Sequence, residues 1–446
     1  MRVPTDDTII VFPTGRGSYL VGGTVEHSVT DSKYHQLVAE MKGGIEWRDL
    51  SDGDMERDPS RSAKITDVTC HVVGGNFPWN VITVETDAGV TGVGEAFNGP
   101  ISEHVEYLRP GLVGENPYDV ERLEEHMTQL LSGLGGGVGY SQAAVSGIET
   151  ALWDVVGKLT GLPVYQLLGG KFRDEVRIYC DCHAGEHLDA GSGKAFEAYD
   201  PEAYADAAAD VVDEGFDALK FDLDVAAGDA DTATRRLSNA AVQHKVDVVA
   251  AVRERIGDEP ALAFDLHWNF TVETALRIAR ELEAYDLAWL EDPVPPENAD
   301  AHRRVTEGTS TPILAGENLT RVETFLPYLT EGAMDVAAPD IQKCGGLAEF
   351  RRVAALADAV DVPVTPHNVS SPIGTVASVH ACASVPNAFV LEWHARDVDW
   401  WDDLYEGAPL IEDGRITVPE GPGLGLDIDV DAYNERLAAG EEPIDL

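Results

Sequence analysis

Between residues 176 and 394 the chain repeats one pattern eight times: a short apolar run ending near a polar residue, followed by a longer stretch. The runs are VRIYCDC (176–182), ALKFDLD (218–224), ALAFDLH (261–267), LAWLEDP (287–293), PILAGE (312–317), DVAAPDI (335–341), VPVTPHN (362–368) and AFVLEWH (388–394). Between them lie segments of helical period such as PEAYADAAADVVDEG, TVETALRIARELEAY and LAEFRRVAALADAV. Strands joined through helices run parallel and are covered on both faces. A βα barrel and a doubly wound open sheet share this alternation. The polar ends separate them, because Lys220, Asp222, Asp265, His267, Glu291, Glu317, Asp340, His367 and Glu392 sit at the ends of nearly every run. A barrel brings the C-terminal ends of all its strands to one catalytic face, so we read a parallel α/β barrel with a polar mouth.

A chain of 446 residues exceeds one ordinary core but suits a barrel with a smaller domain. From Ile65, ITDVTCHVV and NVITVETDAGVTGVGEA alternate around the turn Asp87-Ala88-Gly89, and two helical patterns follow near Tyr118–Leu131 and Ser141–Leu159. We assign residues 65–175 to an α+β module and 176–400 to the barrel. Residues 1–64, polar and glycine-containing with a weakly helical stretch at His35–Met41, are read as an N-terminal extension.

The formal charge is −47, from 79 acidic against 32 basic side chains, and the acid is spread along the whole chain. That balance fits a surface adapted to a salt-rich cytoplasm, where ions screen repulsion over a few ångströms. It argues against nucleic-acid partners, which require clustered lysine and arginine. No stretch approaches the roughly 18 apolar residues of a membrane helix, and MRVPTDDTIIVFPTGRG does not read as a secretory signal. The expectation is a cytoplasmic protein without a membrane role. Five cysteines, Cys70, Cys180, Cys182, Cys344 and Cys382, are an odd number and too sparse for a disulfide framework.

Asp265, Glu291 and Glu317 end three successive runs and are each 26 positions apart, one βα unit per step. Three carboxylates brought to one partly dry mouth repel unless a cation neutralises them, and a hard divalent ion such as magnesium suits oxygen ligands with open positions. Asp265-x-His267 and Lys220-x-Asp222 are each read as two residues of one strand, both facing the mouth. Asp340 and His367 end runs six and seven. A carboxylate bonded to an imidazole fixes its tautomer and raises its basicity, as a general base requires.

ALKFDLD, FDLHWNF, WLEDP, LAGE, APDIQKCGG and TPHN, in this order with one strand for each, resemble the mandelate racemase subgroup of the enolase superfamily. The resemblance spans roughly residues 65–430 and implies a (β/α)₇β barrel under a capping domain. GPGLGLDID (421–429) resembles the C-terminal return to that cap, so 401–446 is assigned to it, and GGNFPWN (74–80) and SGLGGGVGY (132–140) are candidate closing loops. The resemblance makes Asp265, Glu291 and Glu317 ligands of one Mg²⁺ per subunit, His367 the base oriented by Asp340, and Glu392 a hydrogen-bond partner of the enediolate. Lys220 would lie near the substrate carboxylate. It also implies a homo-oligomer and a small-molecule sugar-acid substrate.

Racemases of the subgroup carry a second lysine where this chain has Asp222, which disfavours that reaction. His267 resembles instead the general acid of the sugar-acid dehydratases, which act on aldonates such as gluconate, xylonate or galactonate and give 2-keto-3-deoxy acids. Asp222, His183 and His394 are further candidates for substrate contact, whereas Trp393 should face the helices. The competing readings are epimerisation of a hydroxy acid with His267 and His367 as opposed bases, and a non-catalytic sugar-acid-binding relative.

Overall fold

The computed structural model describes residues 62–133, 136–182, 200–224 and 234–446, and the backbone alone at 10–14, 17–21 and 230–231. The helical stretch expected at 35–41 lies outside the described residues. The chain divides into two units, Met1–Arg57 and Asp58–Leu446. In the first, Ile10–Thr14 pairs antiparallel with Gly17–Val21. The second holds a cap and a barrel.

The barrel strands are Glu175–Cys182, Ala218–Asp222, Ala261–Asp265, Trp289–Glu291, Ile313–Ala315, Val336–Ala337, a single bridging residue Val364, and Leu391–Trp393. They pair in parallel in chain order, Ala337 bridges Val364, Val364 bridges Ala388, and Leu391–Trp393 pairs back onto the first strand. The ring is therefore closed and no edge is left unpaired. Seven helices follow strands one to seven: Pro201–Asp213, Asn239–Ile256, Val272–Leu282, Ala299–Thr306, Arg321–Thr330, Leu347–Asp358 and Pro372–Ala383. No helix of this ring follows strand eight among the described residues, which makes the fold a (β/α)₇β barrel. The seventh run, VPVTPHN, shrinks to one bridging residue: its two prolines have no amide hydrogen to give a ladder.

Strand alternation explains how this barrel builds its mouth. Leu219, Phe221, Leu262, Phe264 and Leu290 point outward into the core shared with the helices. Tyr179, Ala218, Ala263, Trp289, Leu314, Val336, Ala338 and Val390 form a separate buried cluster inside the ring. Moving two residues along the chain from Tyr179, Ala218, Ala263, Trp289, Ala338 and Val390 gives Asp181, Lys220, Asp265, Glu291, Asp340 and Glu392. An apolar floor thus carries a charged layer on the same inward face.

The cap is a three-stranded antiparallel sheet, Ile65–Gly74, Pro78–Thr86 and Thr91–Ala96, with helices Ser102–Leu108, Val120–Ser132 and Gly139–Thr160. The expected hairpin forms, with Thr86 donating its amide to the Val90 carbonyl. Residues beyond the barrel return to the cap: Asp154 accepts the amides of both Val93 and Leu424, each at 2.8 Å, and Val73 bridges Leu437. Two cap glutamates seal the junction with the barrel. Glu95 accepts from the Ser371 hydroxyl and the Ser371 and Gly374 amides at the start of helix Pro372–Ala383. Glu149 accepts from the Leu347 and Ala348 amides at the start of helix Leu347–Asp358. Gly346 makes the second contact feasible: its φ is +93°, and a Cβ there would stand 2.1 Å from a Glu149 carboxylate oxygen.

Candidate active site

Strand register assembles the site. Asp222 faces Asp265 across strands two and three, and Asp265 faces Glu291 across strands three and four. Glu317 lies beyond strand five, after Gly316, whose φ of +134° swings the chain past the Phe325 ring. Asp265, Glu291 and Glu317 are buried, and one oxygen of each lies within 4.8 Å of the others.

Glu291 accepts from Lys220 and the Trp289 indole, and Glu317 meets Lys343 and His367. Asp265 Oδ2 has no hydrogen-bond donor among the described residues, although Lys220 Nζ at 3.5 Å and His267 Nε2 at 3.3 Å lie close. Burial, with Asp265, Glu392 and Glu317 nearby, drives the Glu291 carboxyl well above its ordinary pKa despite Lys220. Glu317 is held down to about 2 against burial by His367 and Lys343. Three converging buried carboxylates, with Asp265 Oδ2 lacking a donor among the described residues, fit a divalent cation of hard character.

Lys220, 2 % exposed, reaches Glu392 at 2.8 Å, Glu291 at 3.3 Å and Asp181 at 3.6 Å. Burial opposes its charge, but Asp181, Glu291 and Glu392 outweigh burial and hold its pKa well above normal. Glu392 Oε1 makes the ion pair with Lys220, and its Oε2 accepts the Asn368 amide at 2.8 Å.

His367 Nδ1 lies 2.7 Å from Asp340 Oδ2, while the other Asp340 oxygen accepts the Gln342 amide and fixes the carboxylate. His367 Nε2 stands 3.2 Å from Glu317, and the cap's Phe97 ring packs 6.0 Å from the imidazole. His267 occupies the other wall, 3.3 Å from Asp224, 3.3 Å from Asp265 and 3.8 Å from Asp222. Burial disfavours its charge, yet Asp265, Asp222 and Asp224 raise its pKa well above the usual histidine value. Burial in turn pushes Asp222 up to about 7 against the pull of His267.

The pairing expected of Asp265-x-His267 on one strand does not hold. The strand ends at Asp265, and His267 and Trp268 take left-handed backbone conformations (φ 41° and 58°) while Asp265 accepts the His267 amide. His267 therefore reaches the cavity through a turn rather than by alternation. Lys220 and Asp222 do share one strand and one cavity.

The cavity of about 280 Å³ is lined by Lys220, Asp222, Asp265, His267, Glu317, His367 and His394 from the barrel and by Phe77, Phe97 and Asn98 from the cap. His394 joins the site, 3.5 Å from Asp181, while Trp393 stacks on Phe216 outside the ring. His183 lies outside the described residues, as do positions 134–135 of the second expected closing loop. Sequence reasoning passed over Asp181, Asp224 and Lys343. Asp181 sits within VRIYCDC at the polar end of a run, the very signal that marked the other strands, and Lys343 within APDIQKCGG reaches Glu317 at 3.3 Å. All five cysteines carry free thiols.

Residues 58–169 match the N-terminal domain family of mandelate racemase and muconate lactonizing enzyme, and residues 203–432 match the family described as enolase C-terminal domain-like. A D-xylonate dehydratase of Haloferax volcanii is 48% identical over 388 residues, 86% of this chain and 92% of that protein. A D-galactonate dehydratase of Ralstonia pickettii is 32% identical, covering 80% of this chain and 91% of its own. The crystal structure of a mandelate racemase/muconate lactonizing enzyme-like protein from Rubrobacter xylanophilus superposes with a TM-score of 0.82 at 42% identity, covering 85% of this chain and 99% of that one. With its capped (β/α)₇β barrel and carboxylate-lined mouth, the chain belongs to the mandelate racemase/muconate lactonizing enzyme family of the enolase superfamily.

Proposed function

We propose that the protein is a hydro-lyase that dehydrates an aldonate to a 2-keto-3-deoxy sugar acid, with D-xylonate as the first substrate to test. The observation that carries this reading is two imidazoles, His267 from the turn after strand three and His367 from the loop after strand seven, lining one cavity beside the carboxylates at the ends of strands three to five. The dehydratases of xylonate and galactonate among its relatives support it.

Asp265, Glu291 and Glu317 would hold one Mg²⁺ per subunit. When bound, such an ion polarises the substrate carboxylate and acidifies the α-hydrogen. Asp340 keeps the His367 tautomer whose Nε2 accepts the C2 proton. His267, surrounded by three carboxylates, carries the proton that leaves with the 3-hydroxyl as water. One group takes a proton and the other gives one, so the elimination balances and the enol product tautomerises to the ketone. Lys220 stands where the developing negative charge needs a cation. Glu392 holds that lysine as an anion and would have to take up a proton to donate to the enediolate itself.

The division at residues 64, 175 and 400, a homo-oligomeric state and a salt-rich cytoplasm belong to the same proposal. The acidic composition supports the last, as does the relative from Haloferax volcanii. Among the described residues no helix is long and apolar enough to cross a membrane. The test is incubation with Mg²⁺ at high salt with a panel of aldonates and aldarates, assaying 2-keto-3-deoxy acids. Inversion at C2 with no keto acid would mean an epimerase, and metal-dependent binding without turnover a non-catalytic relative.

A further inference from the structure

The cavity wall formed by strands eight and one carries a chain of polar contacts to which the proton transfers assign no part. Asp181 lies in the inward layer, two residues above Tyr179 of the barrel floor, is 5% exposed and lines the cavity. Its Oδ2 is 3.6 Å from Lys220 Nζ and 3.5 Å from His394 Nε2. On the far side of that imidazole, Asn76 Nδ2 lies 3.2 Å from His394 Nδ1 and donates to the His394 carbonyl at 2.8 Å and to Asp397 at 3.0 Å. Asn76 and Phe77 form the turn between the first two cap strands, and Phe77 packs 5.4 Å from the His394 ring. The carboxylate in the barrel wall is therefore tied through one histidine to a hairpin of the cap.

Its place in the ring limits what it can bind. In an eight-stranded ring strand one lies opposite strand five, and Asp181 faces the side that bears Glu317. A substrate whose carboxylate lies toward strands three to five, with the base after strand seven and the acid after strand three, has its remaining carbons directed toward strands eight and one. A carboxylate there repels a second acid group and accepts only donors. The donors of an aldonate are its hydroxyls.

We propose that Asp181 binds the polyhydroxy chain of the substrate, accepting a hydrogen bond from a hydroxyl beyond C3, and that Asn76 and His394 are positioning residues that set this acceptor by the position of the cap hairpin. This rests on the aldonate reading above. A site that hydrogen-bonds a substrate hydroxyl favours the full substrate over the analogue that lacks it, because the analogue forgoes that bond.

The experiment compares kcat and KM for the best aldonate of the panel and its analogue lacking the terminal hydroxyl, at saturating Mg²⁺ and high salt. Wild-type enzyme should prefer the full substrate by about 10²-fold or more, and in Asp181→Asn that preference should fall to within about 10-fold, mostly through KM. Asn76→Ala should move the ratio in the same direction by about 10-fold, mostly through KM. An unaltered ratio in Asp181→Asn overturns the proposal. If that variant does not fold by circular dichroism, Asn76→Ala in its half-buried turn decides, and an unaltered ratio there overturns it equally. A wild-type enzyme inactive on every aldonate defeats the dehydratase reading and this one together. An active enzyme whose variants discriminate as before defeats this one alone.

Discussion

The buried carboxylates at the junction of cap and barrel and those at the barrel mouth are built differently. At the junction of cap and barrel, Glu95 and Glu149 each meet three donors: two backbone amides at a helix start and one side chain, the Ser371 hydroxyl or the Trp153 indole. At the mouth, Asp265 accepts one backbone amide, Glu291 accepts from Lys220 and the Trp289 indole, and Glu317 is faced by Lys343 and His367, so no helix start among the described residues serves any of the three. Helix N-termini and fixed amides satisfy the junction pair without any ion. Three buried carboxylates aimed at one another are costly as they stand, and this cost is what a bound cation removes. Burial alone therefore does not mark a functional acid; the donors around it do.

The largest test of that contrast is metal dependence. Glu291→Gln should abolish Mg²⁺ binding by calorimetry and lower turnover by about 10⁴-fold or more, and exhaustive chelation should do the same to the wild type. Glu95→Gln should leave Mg²⁺ affinity unchanged, and a shared loss would erase the distinction between the two sets.

The next effect separates the two histidines. His367→Asn should lose dehydration and C2 exchange in deuterated solvent together, by about 10² to 10⁴. His267→Asn should lose dehydration on the same scale yet keep some C2 exchange, read by NMR. Normal dehydration by His267→Asn would assign the acid elsewhere.

A smaller effect concerns stability in metal-free protein. Glu149→Ala leaves the Leu347 and Ala348 amides and the Trp153 indole without their acceptor, and should cost roughly 3 kcal/mol by denaturant titration. Glu291→Gln relieves repulsion and should raise the melting temperature of the same metal-free protein. Destabilisation by both changes would contradict the comparison.

The smallest is a pH slope. Burial pushes Glu95 from 4.5 to about 7 and Glu149 from 4.5 to about 8. A carboxyl whose pKa is raised on folding stabilises fully below its unfolded pKa and loses that contribution as pH rises through the folded value. Between pH 6 and pH 8 the Glu95 part should fall by about 1 kcal/mol, and Glu95→Gln should flatten that portion of the stability profile.

Much of the site was legible because period-two alternation ties a small or aromatic floor residue to a charged one two positions later, as in Ala263 and Asp265 or Trp289 and Glu291. Equal spacing of Asp265, Glu291 and Glu317 follows from βα units of equal length. His267 reached the cavity by another route than alternation predicts, since its left-handed turn follows from an Asp265 hydrogen bond that no periodicity encodes. Asp181 carried the right signal and was obscured by its flanking cysteines.

The sequence by itself determined the alternation of strands and helices, the layer of polar strand ends and the acidic surface, because these depend on local period and composition. Only the tertiary structure decided which carboxylates need an ion. Glu95, Glu149 and Glu291 look alike along the chain, and what distinguishes them is whether distant backbone amides or other carboxylates arrive beside them when the cap closes on the barrel.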